Sequence, residues 1–199
     1  MAIDRNITID FELHERQRRI WNDPARFRVV AAGRRFGKSW LGCAMCFDVA
    51  LHGGRAWWVA PSYPMSNVGW RGLAQIRAQL PGVGIDLRRG ERSFAFPGGG
   101  EVRVKSADNP DSLRGEGLDF VVLDECAYMK REAWTEALRP ALSDRKGGAL
   151  FISTPRGLNW FRALWLRGQD LTQSEWRSWT FKTSDNPFIA PEEIEAARG

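Results

Sequence analysis

A chain of 199 residues with 43% hydrophobic and 27% charged residues has the size and balance of one substantial globular domain, and needs no metal or disulfide staple to be stable. The net charge is +5 with a pI near 9.5, and only five of the 29 basic residues are lysine, an arginine bias compatible with a nucleic-acid partner. No run approaches the ~18–20 apolar residues of a membrane span, the N-terminus lacks a signal-peptide pattern, and an odd three cysteines argue against a disulfide framework, so the expected compartment is the cytoplasm.

In chain order, a helix is predicted from about Glu12 to Trp21, closed by Asn22-Asp23-Pro24. The apolar run Phe27 to Ala31 reads as a buried strand ending in a glycine-bearing basic loop, followed by a helix from Trp40 to Leu51. Cys43 and Cys46 form a CxxC inside that helix; with no second CxxC and only His14 and His52 elsewhere, they read as core residues. Arg55 to Ala60 is a second strand, and Met65 to Leu80 a helix with Leu73, Ile76 and Leu80 on one face. Arg92 to Phe96 and Glu101 to Lys105 alternate across Pro97-Gly98-Gly99-Gly100 and predict a hairpin. Phe120 to Leu123 and Ala149 to Ser153 are further strands. Between them lies a helix from Lys130 to Leu142 that Pro140 must end or kink. Asn159 to Arg167 is helical and Trp176 to Lys182 a last strand. Strands alternating with helices define an α/β fold with a mostly parallel central sheet flanked by helices and a small antiparallel hairpin. Ligands in such folds sit at the carboxyl ends of the strands, so the loops after Ala31, Ala60, Leu123 and Ser153 are expected to converge.

Those loops carry the unusual residues. Ala32-Gly33-Arg34-Arg35-Phe36-Gly37-Lys38-Ser39 is a phosphate loop with alanine where the strict GxxxxGK[ST] pattern has glycine. Main-chain N–H groups there can face an anion, Lys38 can neutralise phosphate oxygens, and the Ser39 hydroxyl can ligate Mg²⁺. In Phe120-Val121-Val122-Leu123-Asp124-Glu125, four apolar residues deliver two carboxylates to a strand end. Asp124 is suited to hold the metal, and Glu125 to activate the attacking water. Ser153 and Thr154, at another strand end, could contact the γ-phosphate or that water. Arg114, in Ser112-Leu113-Arg114-Gly115-Glu116-Gly117, sits on an adaptable loop from which it could reach a neighbouring subunit's nucleotide.

GRRFGKS, SADNPDSLRGEGLDFVVLDECAYM, ISTPRG and TSDNPFIAPEEIEAAR together resemble the ATPase half of tailed-bacteriophage terminase large subunits, the DNA-packaging motors, over nearly the whole chain. The resemblance implies a P-loop NTPase of the ASCE (RecA/helicase-like) type that hydrolyses ATP with Mg to translocate double-stranded viral DNA into a procapsid. It implies that Glu125, Lys38, Arg114 and Arg34 are catalytic, with Arg34 sensing the γ-phosphate and Arg114 acting in trans within a homo-oligomeric ring. Nucleotide contacts would come from Gln17 at the adenine, from Ala32, Gly33, Arg34, Arg35, Phe36, Gly37, Lys38, Ser39 and Trp40, and from Asp124, Ser153 and Thr154; Mg would sit on Ser39 and Asp124. The implied partners are DNA, portal and small terminase subunit, with no membrane, in the host cytoplasm and transiently at the procapsid portal. Residues 1–182 are expected to form the ATPase domain. Residues 183–199 would begin a linker toward a nuclease domain absent from this chain, from which no nuclease activity is expected. Arg71 and Arg77, together with Arg88, Arg89 and Arg92, form the densest basic regions and are the candidate DNA contacts. A helicase-like DNA-dependent ATPase and a non-hydrolysing nucleotide-binding regulatory module are the competing readings. Glu125 speaks against the module, since a switch needs no positioned base.

Overall fold

The computed structural model describes residues 9–190 together with 192 and 193. Its strands are β1 (Phe27–Ala32), β2 (Arg55–Ala60), β3 (Asp86–Arg88), β4 (Ser93–Ala95), β5 (Glu101–Ser106), β6 (Phe120–Leu123), β7 (Gly148–Ser153) and β8 (Trp176–Phe181). They form one sheet in the order β3-β4-β5-β2-β6-β7-β1-β8. From β5 to β8 across that order every pairing is parallel, while β3 and β4 add an antiparallel edge. The helices are α1 (Glu15–Trp21), α2 (Lys38–Leu51), α3 (Tyr63–Ala78), α4 (Arg139–Ala141) and α5 (Trp160–Gln169). Among the described residues no helix is long and apolar enough to cross a membrane.

The central strands are apolar at nearly every position because both faces of the sheet are covered. Val30, Ala32, Trp58, Val122, Leu150 and Ile152 face a core shared with Ile20 of α1, the buried side of α2, and Leu73 and Ile76 of α3. The alternate residues Val29, Ala31, Trp57, Val59, Val121, Leu123 and Phe151 face a second core closed by Leu113, Ala137, Leu138 and Phe161. Cys43 and Cys46 are buried in the first core as free thiols, and burial drives both thiols well above their ordinary range.

Boundaries moved where a side chain or backbone angle decided them. Helix α1 begins at Glu15 instead of Glu12, because Glu12 is left-handed (φ 50°) and His14 caps the helix, its imidazole accepting from the Gln17 N–H while the Gln17 amide oxygen accepts from His14 N–H. Helix α2 begins at Lys38, directly after the left-handed Gly37 (φ 94°). Helix α3 begins at Tyr63, where Ser62 caps the N–H of Met65. The segment expected as a plain helix over Lys130 to Leu142 contains a π-helical turn, Ala133–Leu138, that runs into α4. Pro140 lies inside α4, so the missing N–H is absorbed by the wider turn and the segment continues past it. The short, charged β3 was not anticipated; three residues offer no periodicity to read.

The two helices on one face are set by a single side chain. Trp58 is fully buried, and a Cβ built on Gly69 of α3 would lie 2.4 Å from its indole, one on Gly42 of α2 2.8 Å. Only glycines let both helices approach the ring this closely. Gly69→Ala is therefore expected to cost about 1–3 kcal/mol through overpacking. Thermal unfolding should register it as a fall of about 2–4 °C per kcal/mol.

Candidate active site

Strand β7 separates β1 from β6, so the phosphate loop after β1 and the acidic pair after β6 flank the polar end of β7. The loop leaves β1 at Ala32, where the Gly33 N–H is bonded to the Phe181 carbonyl at the end of β8 (3.1 Å), and enters α2 through Gly37. Lys38 is buried, and its ammonium donates to the carbonyls of Ala32 (2.7 Å) and Gly33 (2.9 Å). Burial lowers its pKa, Glu125 and Asp124 pull it back up, and Arg34 lowers it further. The lysine and both acids therefore share one electrostatic site.

Asp124 is 4% exposed, and its N–H extends the sheet by bonding to Val59 O at 2.8 Å. Burial, reinforced by neighbouring Glu125, pushes its carboxyl from 3.8 up to about 7, against the pull of the Glu125 N–H and Lys38. Glu125 has a left-handed backbone (φ 44°), which turns its side chain back over β7. There its Oε2 lies 3.2 Å from the Ser153 hydroxyl and 3.4 Å from the Thr154 N–H. The same hydroxyl lies 3.1 Å from the Thr154 carbonyl and accepts from the Ala127 N–H. Lys38, Asp124, Glu125, Ser153 and Thr154, predicted from separate stretches, are thus brought together. Ser39 follows on the first turn of α2.

Other predicted residues are placed differently. The Phe36 side chain is fully buried and stacks on Phe181 (centroids 4.6 Å apart), so only its main chain is available to a ligand, and the partly buried Trp40 indole donates to Phe11 O at 2.8 Å. Arg34 and Arg35 are exposed, and Arg35 pairs with Glu193 (2.9 Å). Gln17 is 2% exposed, and its amide is committed at both ends, to His14 N–H and to the carbonyl of Gly37. Arg114 follows a short 3₁₀ turn and is half exposed, and its pairs are with Asp111 (3.4 Å) and Glu136 (3.3 Å) of its own chain, neither of them a member of the Lys38 group.

The basic regions are partly internal. Arg77 donates to Ile85 O at 2.8 Å, tying α3 to the segment before β3. Arg92 bonds Ser66 and Asn67 and lies over the rings of Tyr63 and Trp70. Both are fold contacts in this structure, whereas Arg71 and Arg89 are exposed. A cleft of about 470 Å³, lined by Trp21, Arg26, Arg28, Asp48 and Lys146 among others, lies at the amino ends of β1, β6 and β7, away from the acidic pair. Sequence reasoning missed His14, Thr183 and Asn186, which touch the phosphate loop from outside through its carbonyls. Residues 183–190, expected as the start of a linker, lie against the loop and α1, where Asp185 pairs with Arg16 and Phe188 meets the His14 ring.

A phosphate loop, an acidic pair one strand removed and a polar strand end between them define a P-loop NTPase site in the ASCE arrangement. Residues 29–195 match the family described as terminase large subunit, T4likevirus-type, N-terminal. The large terminase subunit of Thermus virus P23-45 is 36% identical over 180 residues, covering 80% of this chain and 37% of that protein. The corresponding subunit of Escherichia phage T5 is 34% identical over 179 residues, covering 87% and 40%. The solved ATPase domain of the Thermus phage P74-26 large terminase superposes with a TM-score of 0.76 at 31% identity, covering 94% of this chain and 86% of that one. The chain belongs to the N-terminal family of terminase large subunits, and it spans about two fifths of the length of the curated relatives it matches.

Because the folded pKa of Asp124 lies above the unfolded value, the native state holds the proton more tightly. Its stability relative to the unfolded chain then falls as pH rises from about 4 to about 7 and is level above that. Asp124→Asn removes this loss. Without nucleotide or divalent cations, the variant should unfold at a higher temperature than the wild type at pH 8, with an upper bound of about 4 kcal/mol for three pH units. The difference should vanish near pH 4 in parallel melting series.

Proposed function

We propose that this chain is the ATP-hydrolysing motor domain of a terminase large subunit, working to move double-stranded viral DNA into a procapsid. The observation that carries the reading is the convergence of Lys38, Asp124 and Glu125 on one site, with the Ser153 hydroxyl and Thr154 N–H on the Glu125 carboxylate. It is supported by the similarity to a relative whose solved structure is described as an ATPase domain.

The donors fit a magnesium ion. Asp124 is a buried oxygen donor whose carboxylate is disfavoured by its surroundings, so a cation beside it offsets that cost, and the Ser39 hydroxyl is a second hard oxygen ligand. Bound with nucleotide, Mg supplies neutralising charge at the phosphate oxygens. In this reading the Lys38 ammonium exchanges the Ala32 and Gly33 carbonyls for β- and γ-phosphate oxygens. Glu125 accepts the proton of the attacking water, and Ser153 and Thr154 carry the resulting change at that carboxylate into β7. Arg34 is the residue that senses the γ-phosphate in this reading, a role supported by its exposure on the loop and its electrostatic influence on Lys38. Arg114 serves the nucleotide of the neighbouring copy in a homo-oligomeric ring, a role supported by its half-exposed guanidinium and its weak surface pairs. Portal and small terminase subunit are the expected partners, and the host cytoplasm the place of action.

Phosphate release measured with DNA present tests the reading. Glu125→Gln should lower turnover about 10²–10⁴-fold, the usual contribution of a general base, while retaining ATP binding. Turnover by Glu125→Gln equal to wild type would overturn the assignment. Mixing Arg114→Ala with Lys38→Ala subunits should recover part of the activity that each lacks alone, because some interfaces then hold one intact site. Absence of any recovery would exclude the trans role.

A further inference from the structure

Four consecutive carbonyls on the outer side of the phosphate loop are each held by a different side chain. The Arg34 carbonyl accepts from the Thr183 hydroxyl at 2.9 Å, and the Arg35 carbonyl from the Asn186 amide at 2.7 Å. The Phe36 carbonyl lies 3.1 Å from His14 Nε2, and the Gly37 carbonyl accepts both from the Gln17 amide at 2.9 Å and from the Leu41 N–H of α2 at 3.1 Å. The histidine Nδ1 accepts from the Gln17 N–H, so the ring proton belongs on Nε2, where it donates to Phe36. The donors come from two places, the cap of α1 and the segment after β8.

A trans peptide unit is planar, with its C=O and N–H pointing in opposite directions. Holding the carbonyls of residues 34 to 37 outward therefore turns the N–H groups of Arg35, Phe36, Gly37 and Lys38 inward. Among the described residues those four N–H groups make no main-chain hydrogen bond. They form a concave row of donors at the start of α2, the geometry that receives a phosphate. The loop's glycines bear on the same contacts. A Cβ on Gly33 would lie 2.6 Å from the Thr183 hydroxyl, and one on Gly37 would lie 2.6 Å from the Gln17 amide nitrogen.

We infer that His14, Gln17, Thr183 and Asn186 are positioning residues that preset the phosphate loop for its anion by fixing the outer ends of its peptide planes. The inference rests on the ATPase reading above and deepens it. It also gives Gln17 a different task from adenine contact, because neither end of its buried amide is free.

Inorganic pyrophosphate, which has no base, separates the two tasks. Its Mg complex and MgADP are titrated against the wild-type protein and against Thr183→Val, Thr183→Ser, Asn186→Ala and Gln17→Leu, with thermal unfolding followed in parallel. Thr183→Val and Asn186→Ala should each weaken pyrophosphate and ADP alike by about fivefold, the equilibrium effect of one net hydrogen bond. Thr183→Ser, which keeps the donor, should bind as the wild type does. Gln17→Leu should weaken both ligands in the same proportion. Unchanged pyrophosphate affinity in Thr183→Val and Asn186→Ala, failure of Thr183→Ser to restore binding, or loss of ADP but not pyrophosphate affinity in Gln17→Leu would each overturn the inference. If the wild type binds neither ligand, the ATPase reading fails and takes this one with it; if it binds both and the variants match it, only the positioning role is lost.

Discussion

An ammonium and a carboxylate stand at the ends of two apolar strands with little water to solvate either. Lys38 is 7% exposed and Asp124 4%, and burial pushes their pKa values toward each other, while their attraction resists the shift. An unpaired charge in such a place is costly, so each must be compensated. The lysine finds two carbonyls of its own loop, which are weaker partners than an anion. The aspartate, pressed from the side by Glu125, is best relieved by a cation. A ligand that pairs a polyanion with a divalent cation would relieve both costs together.

Strand order joins that site to the neighbouring strand. Because β7 lies between β1 and β6, Ser153 and Thr154 are the polar groups closest to the Glu125 carboxylate. The left-handed backbone of Glu125 is unfavourable for a side-chain-bearing residue and persists only where its surroundings fix it. The same residue therefore stands beside Asp124 and leans on the neighbouring strand. Arg114 is engaged elsewhere, on Asp111 and on Glu136 within the π-helical turn. Its pairs are half exposed and individually weak.

The parallel α/β framework was legible in the residues, since short apolar runs such as Phe120 to Leu123, bounded by turn residues and alternating with helical stretches, fit strands buried on both faces. So were the residue types at the strand ends, because a Gly-Lys-Ser after one run and an Asp-Glu after another leave few alternatives. Arg77 and Arg92 read as surface charge, yet their partners Ile85, Ser66 and Asn67 are supplied by the fold. Pro140 announces a disturbance in its helix, but not that the turn before it widens to a π-helical one.

Which strand lies between the two halves of the site, and which side chains grip the phosphate loop from behind, emerges from the folded chain alone. The loop's outer contacts are made through main-chain carbonyls, which every residue possesses and no residue type advertises. His14, Gln17, Thr183 and Asn186 come from opposite ends of the described chain. Nothing in their spacing marks them as neighbours until α1 and the segment after β8 close over the same turn.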